Sequence, residues 1–119
     1  MELEELKNYL EIDLEGSLAE RFMGSADMYV RFLKKFAGDN GYAALLQAME
    51  SGDDQNVLRC AHNLKGVCAT LGLAGLQRSF ADIVSLIRSG SYSGELLRQK
   101  TDAAGRELER TKELLLQLK

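Results

Sequence analysis

The sequence has no proline at any of its 119 positions. Without that residue a helix meets no strong internal breaker. Strand signals are scarce too: β-branched runs are few, and no stretch alternates apolar with polar residues. No apolar run approaches the roughly 20 residues a membrane span needs. The opening Met1-Glu2-Leu3-Glu4-Glu5 is acidic, where a secretion signal would need a basic start. A cytoplasmic location is therefore expected. Two cysteines are too few for a disulfide framework. On one helix, Cys60 and Cys68 would stand roughly 12 Å apart at 1.5 Å per residue. A disulfide needs alpha carbons within about 7 Å, so reduced thiols are expected, in keeping with a reducing compartment. Clustered positive charge is missing as well: the net charge is -3 and the pI ≈ 5.2. A nucleic-acid binder would need such a cluster to replace counterions. Only one histidine is present, which argues against a zinc site of three or four ligands.

What remains is an ordinary globular composition, 45% hydrophobic and 28% charged. The length suits one domain over 1–119 with a single modest core. Glycines 16, 24, 38, 41, 52, 72, 90 and 94 punctuate the chain. Between them, apolar residues recur every three or four positions. Short amphipathic helices are expected over 2–11 (Leu3, Leu6, Leu10) and 14–22. Gly24-Ser25 reads as a break and cap before a helix over 26–37, whose buried face is expected to be Tyr29, Phe32, Leu33 and Phe36. Asp39-Asn40-Gly41 is turn chemistry. A helix over 41–51 would bury Tyr42, Leu45, Leu46 and Met49. Asp53 or Asp54 can cap the next, over 54–71. A helix over 73–89 repeats Leu76, Phe80, Ile83 and Ile87. The last, over 94–118, repeats Leu97, Thr101, Ala104, Leu108, Thr111, Leu115 and Leu118 and is slightly weakened by Gly105. The expected fold is all-α: an antiparallel four-helix bundle with a short additional N-terminal helix.

The helix over 54–71 carries the chemistry. Val57, Ala61, Leu64, Cys68 and Leu71 repeat at 4-3-4-3 spacing, a seam facing a core. With Val57 as origin and about 100° per residue, the seam stays within about 40° of zero and His62 falls at about 140°. His62 therefore faces away from the core. Lys65, three residues on, lies within side-chain reach. Gly66, four residues on, leaves that face without a side chain. A mid-helix glycine costs about 1 kcal/mol against alanine, and access for a partner is a reason to keep it. Cys60 and Cys68 lie about 160° and 120° around the helix from His62, too far for a Cys-His dyad. A neutral imidazole is a free nucleophile near neutral pH. Phosphoryl transfer needs little beyond positioning and a cation, which Lys65 would supply. Leu58, Arg59 and Ala69 are candidates for partner docking.

The run Ala61-His62-Asn63-Leu64-Lys65-Gly66-Val67-Cys68-Ala69-Thr70-Leu71-Gly72 resembles the signature of the histidine-containing phosphotransfer (HPt) domain, roughly A-H-x-L-K-G-x-x-x-x-x-G. Phe22 to Tyr29 with Leu33 and Phe36, and Leu76 with Phe80, resemble the flanking helices of that family. One departure is Val84, where the family often has an acidic residue; a difference in surface or partner detail is the expectation. The resemblance implies a phosphorelay carrier: His62 accepts a phosphoryl group from a receiver-domain aspartate or a kinase and passes it to a receiver domain of a response regulator. It implies no ATP site and no cofactor of this chain's own, with Mg²⁺ on the receiver. A monomer that binds neither nucleic acid nor membrane is expected. The competing reading is a docking module for a receiver or kinase that transfers no phosphate.

Overall fold

The computed structural model describes residues 1–119, all helix and connecting turn with no strand. A 3₁₀ helix, Leu3–Asn8, is followed by α1 (Leu14–Glu20), α2 (Ala26–Phe36), α3 (Gly41–Glu50), α4 (Asp54–Thr70), α5 (Ala74–Ser89) and α6 (Gly94–Leu115). Side-chain caps start four of them. Asp13, Ser25, Asp53 and Ser93 accept the amides of Gly16, Met28, Asn56 and Leu96 at 3.1, 3.2, 3.2 and 3.0 Å. Each bond satisfies one of the donors a helix start leaves orphaned.

Two ends differ from expectation. The first segment is 3₁₀ rather than α and fully buries Leu6 alone; Glu2 before it makes no side-chain cap bond. So short a helix gains little from its own hydrogen bonds. Helix α6 stops at Leu115 rather than 118 because the chain end turns to meet its beginning. The Lys119 amide donates to the Met1 carbonyl at 3.1 Å, and the Met1 ammonium donates to the Gln117 carbonyl at 2.7 Å.

Helix α4 packs on α3 and α5, α5 on α6, and α6 on α2. The fourth wall of the bundle is thus shared by α2 and α3, which break at residues 37–40. Lys112 on α6 donates to the Asp39 carbonyl in that break at 2.8 Å. Short links at 51–53, 71–73 and 90–93 make successive helices antiparallel. The core joins Leu33, Leu45, Val57, Leu64, Phe80, Ile83, Leu108 and Leu115 across these walls.

Five side chains depart from the expected pattern. Phe32 was expected in the core yet is 45% exposed, because the flank of α2 that carries it is left uncovered by any helix. On α3, Leu45 and Ala48 are buried, whereas Tyr42, Leu46 and Met49 are half-buried. Val84 is buried, not a surface residue. Helix α5 lies between α4 and α6 and buries Val84 beside Ile83.

Gly105 finds its reason in Tyr42. The tyrosine lies across α6 and donates its hydroxyl to the Thr101 carbonyl at 2.8 Å. A Cβ on Gly105 would fall on the hydroxyl and ring of Tyr42. Propensity alone makes Gly105→Ala stabilising by about 1 kcal/mol, but the overlap should reverse the sign, with a loss of about 1–3 kcal/mol. Chemical denaturation of Gly105→Ala, alone and with Tyr42→Ala, tests this. A net gain in the single variant would show that Tyr42 does not occupy the notch.

Candidate functional site

Helix α4 buries one stripe and bares the other. Val57, Ala61, Leu64 and Cys68 are buried, and Leu71 continues the stripe into the turn. On the opposite side His62, Asn63 and Gly66 are exposed, and Lys65 is half-buried. This follows from the 4-3-4-3 apolar spacing, because only one rotation of the helix buries the whole seam. Burial pushes the Cys68 thiol up to about 12, so that sulfur acts as an inert apolar filler. Cys60 is half-buried, and both cysteines are free thiols.

The far end of α4 is fixed from two sides. Tyr29 donates its hydroxyl to the Leu71 carbonyl at 2.6 Å. Burial pushes that phenol up to about 12, which keeps it a neutral donor. The Asp13 amide donates to the Gly72 carbonyl at 2.8 Å. Gly72 has φ 73 and is crowded: a Cβ there would lie 2.5 Å from Ser17 Oγ and 2.6 Å from the Asp13 carbonyl oxygen. Glycine alone meets both demands.

Around His62 the other side chains leave the imidazole open. Arg59 donates to Asn56, whose amide group reaches Asp53 at 2.5 Å, so its guanidinium is drawn toward the start of the helix. Thr70 bonds back to the Gly66 carbonyl at 3.2 Å. The three ion pairs of the chain are Lys7–Glu15, Arg78–Glu11 and Lys119–Glu2, so Lys65 keeps its charge uncompensated. A Cβ built on Gly66 meets nothing within 4 Å, and the space beside the imidazole is solvent. One nucleophilic ring, one cation and one bare turn can receive a phosphoryl group. They form no cation site, and no group of three or more His, Cys, Asp or Glu side chains is placed to hold a metal ion.

The expected docking residues fall on two sorts of ground. Leu58 is half-buried against the core, and half-buried Ala69 lines a cleft of about 200 Å³ with Ser17, Glu20 and Gln77. Arg59 is exposed but engaged by Asn56. Val67 was passed over, yet it is 39% exposed. With Phe32 of α2 it lines a groove between α2 and α4, on the flank of α4 rather than on the side of His62. The sequence signal for Val67 was its angle, about 280° from Val57, outside the buried seam.

Gly66 has no neighbour to disturb, so Gly66→Leu should leave stability unchanged or raise it by up to about 1 kcal/mol. A lowered melting temperature would show that the space beside His62 is filled in the folded protein. The Hpt-domain family model matches residues 17–119. No curated protein and no solved structure matches the chain.

Proposed function

The chain belongs to the Hpt-domain family, whose members carry phosphoryl groups in two-component phosphorelays, and on that premise we propose that His62 is the residue phosphorylated. The observation that carries this reading is the solvent-facing imidazole of His62 on the outer face of α4, beside the half-buried Lys65 and the bare Gly66.

The donor is an aspartyl phosphate on a receiver domain. A neutral ring nitrogen of His62 attacks phosphorus as the bond from phosphorus to the aspartate oxygen breaks. An N–P bond forms, the aspartate leaves as a carboxylate, and the second ring nitrogen loses its proton to water. Reversing the sequence delivers the phosphoryl group to a second receiver. The transition state is loose, with charge spread over the equatorial oxygens, and Lys65 neutralises part of that charge. Gly66 lets the receiver bring its aspartate close to the ring. Mg²⁺ belongs to the receiver in this reading, and the chain acts as a carrier with no ATP site of its own. It meets its partners as a monomer in the cytoplasm; no helix is long and apolar enough to cross a membrane.

Incubation with a phosphorylated receiver domain should give an acid-labile, base-stable label that His62→Gln abolishes. Equal labelling of wild type and His62→Gln would sink the proposal, and tight receiver binding without any label would favour a docking module instead. A hydrogen bond to a charged group is worth about 1.5–3 kcal/mol. Lys65→Ala should therefore slow transfer roughly 10–100-fold while its thermal melt stays that of wild type; an unchanged rate removes the role given to Lys65. In Gly66→Leu the same assay should lose transfer from the receiver.

A further inference from the structure

At the end of the bundle far from Gly72, where α4 and α6 start and α5 stops, the helices enclose a cleft of about 580 Å³. That lies within the usual range for small-molecule sites, about 300–1,000 Å³. Ile87 and Leu97 are buried beneath it, and half-buried Met49 and Tyr92 flank them. Tyr92 comes from the link between α5 and α6. Its hydroxyl donates to Asp54 at the start of α4, and that bond raises the phenol above its ordinary value. The ring is therefore neutral and held in place before any ligand arrives.

Two opposite charges line this cleft without meeting. Arg98 and Asp54 both border it, yet the chain's three ion pairs include neither. They stand farther apart than an ion pair, about 4 Å. A round cleft of this volume is roughly 10 Å across. Tyr92 uses one of the roughly four acceptor positions of the Asp54 carboxylate, so the others can accept from an ammonium. Arg98 offers a guanidinium fork suited to a carboxylate.

A ligand that bridges the two carries an ammonium and a carboxylate on one short frame. Two charge-assisted hydrogen bonds of about 2.8 Å each, with such a frame between them, span the gap. The floor asks for an apolar group on the same molecule. A ligand with a carboxylate alone would face Asp54 unpaired, and one with an ammonium alone would face Arg98. Each then meets a like charge, which selects against it.

We propose that this cleft binds a free α-amino acid with an apolar side chain. Its carboxylate pairs with Arg98, its ammonium with Asp54, and its side chain rests on Met49, Ile87 and Leu97. The site is separate from the transfer site, because Asp54 lies roughly 12 Å along α4 from His62. It stands whether or not His62 carries a phosphoryl group. Occupied, it ties the starts of α4 and α6 through one molecule and stabilises the folded chain by mass action. Arg98 is exposed, so each charge pair adds little and the affinity is millimolar.

The test uses the full chain and L-phenylalanine as probe. N-acetyl-L-phenylalanine lacks the ammonium and phenethylamine lacks the carboxylate. In a methyl NMR titration, L-phenylalanine should shift the signals of Met49, Ile87 and Leu97. Each analogue should bind roughly fivefold more weakly, the worth of one exposed charge pair. Arg98→Gln should weaken L-phenylalanine by the same factor, bind phenethylamine no more weakly than wild type does, and keep the wild-type melting temperature. Absence of any shift at tens of millimolar L-phenylalanine overturns the proposal. So do analogues that bind as tightly as the amino acid, shifts that spare these three side chains, or an Arg98→Gln variant that binds L-phenylalanine like wild type.

Discussion

The turn at Leu71–Gly72 holds the functional helix at a fixed angle. Its two carbonyls accept from Tyr29 and from the Asp13 amide, so the α2 wall and the start of α1 both grip the end of α4. Gly72 makes this possible by adopting φ 73 where Ser17 and Asp13 leave no room for a side chain. At the other end, the Tyr92 hydroxyl donates to Asp54. A helix pinned at both ends and buried along one stripe has no freedom to roll. The outward direction of His62 is therefore a consequence of the core and not of anything near the imidazole.

That arrangement divides the work within α4. Val57, Ala61, Leu64 and Cys68 supply burial, at about 25 cal/mol for each Å² of apolar surface removed from water. The opposite face gives up stability for access. Gly66 costs about 1 kcal/mol of helix propensity, and Lys65 keeps a charge that no acidic side chain of the fold neutralises. In a carrier, both features act only when a second protein is present. On the proposed reading, the chain would contribute a nucleophile on a rigid support, and the receiver the metal and the reactive acyl phosphate.

The broken wall made by α2 and α3 shapes the surroundings of the site. An unbroken helix there would meet one set of neighbours along its length. The break at 37–40 lets α2 reach α6 and the end of α4, while α3 packs on α4 and sends Tyr42 across to α6. One result is the notch at Gly105. The other is a bare flank on α2, where Phe32 and Lys35 border the groove beside Val67.

Periodicity in the sequence was enough to locate the α-helices, the buried stripe of α4 and the outward side of His62, because these depend on local geometry, though not the 3₁₀ form of the first segment or the end of α6. A repeat at 3.6 residues states which side chains share a face, and the longest continuous seam must go inward. The family followed from the same segment, since His62, Lys65, Gly66 and Gly72 keep a fixed register. Other features needed the assembled molecule. Phe32 fits the apolar arc of α2 as well as Tyr29 does, and only the lack of a covering helix leaves it in water. Val84 is buried because α5 is sandwiched between α4 and α6. Gly105, a local weakness in the sequence, is the seat of a tyrosine 63 residues earlier. An angle on a helix belongs to the chain, whereas what lies opposite that angle belongs to the tertiary fold.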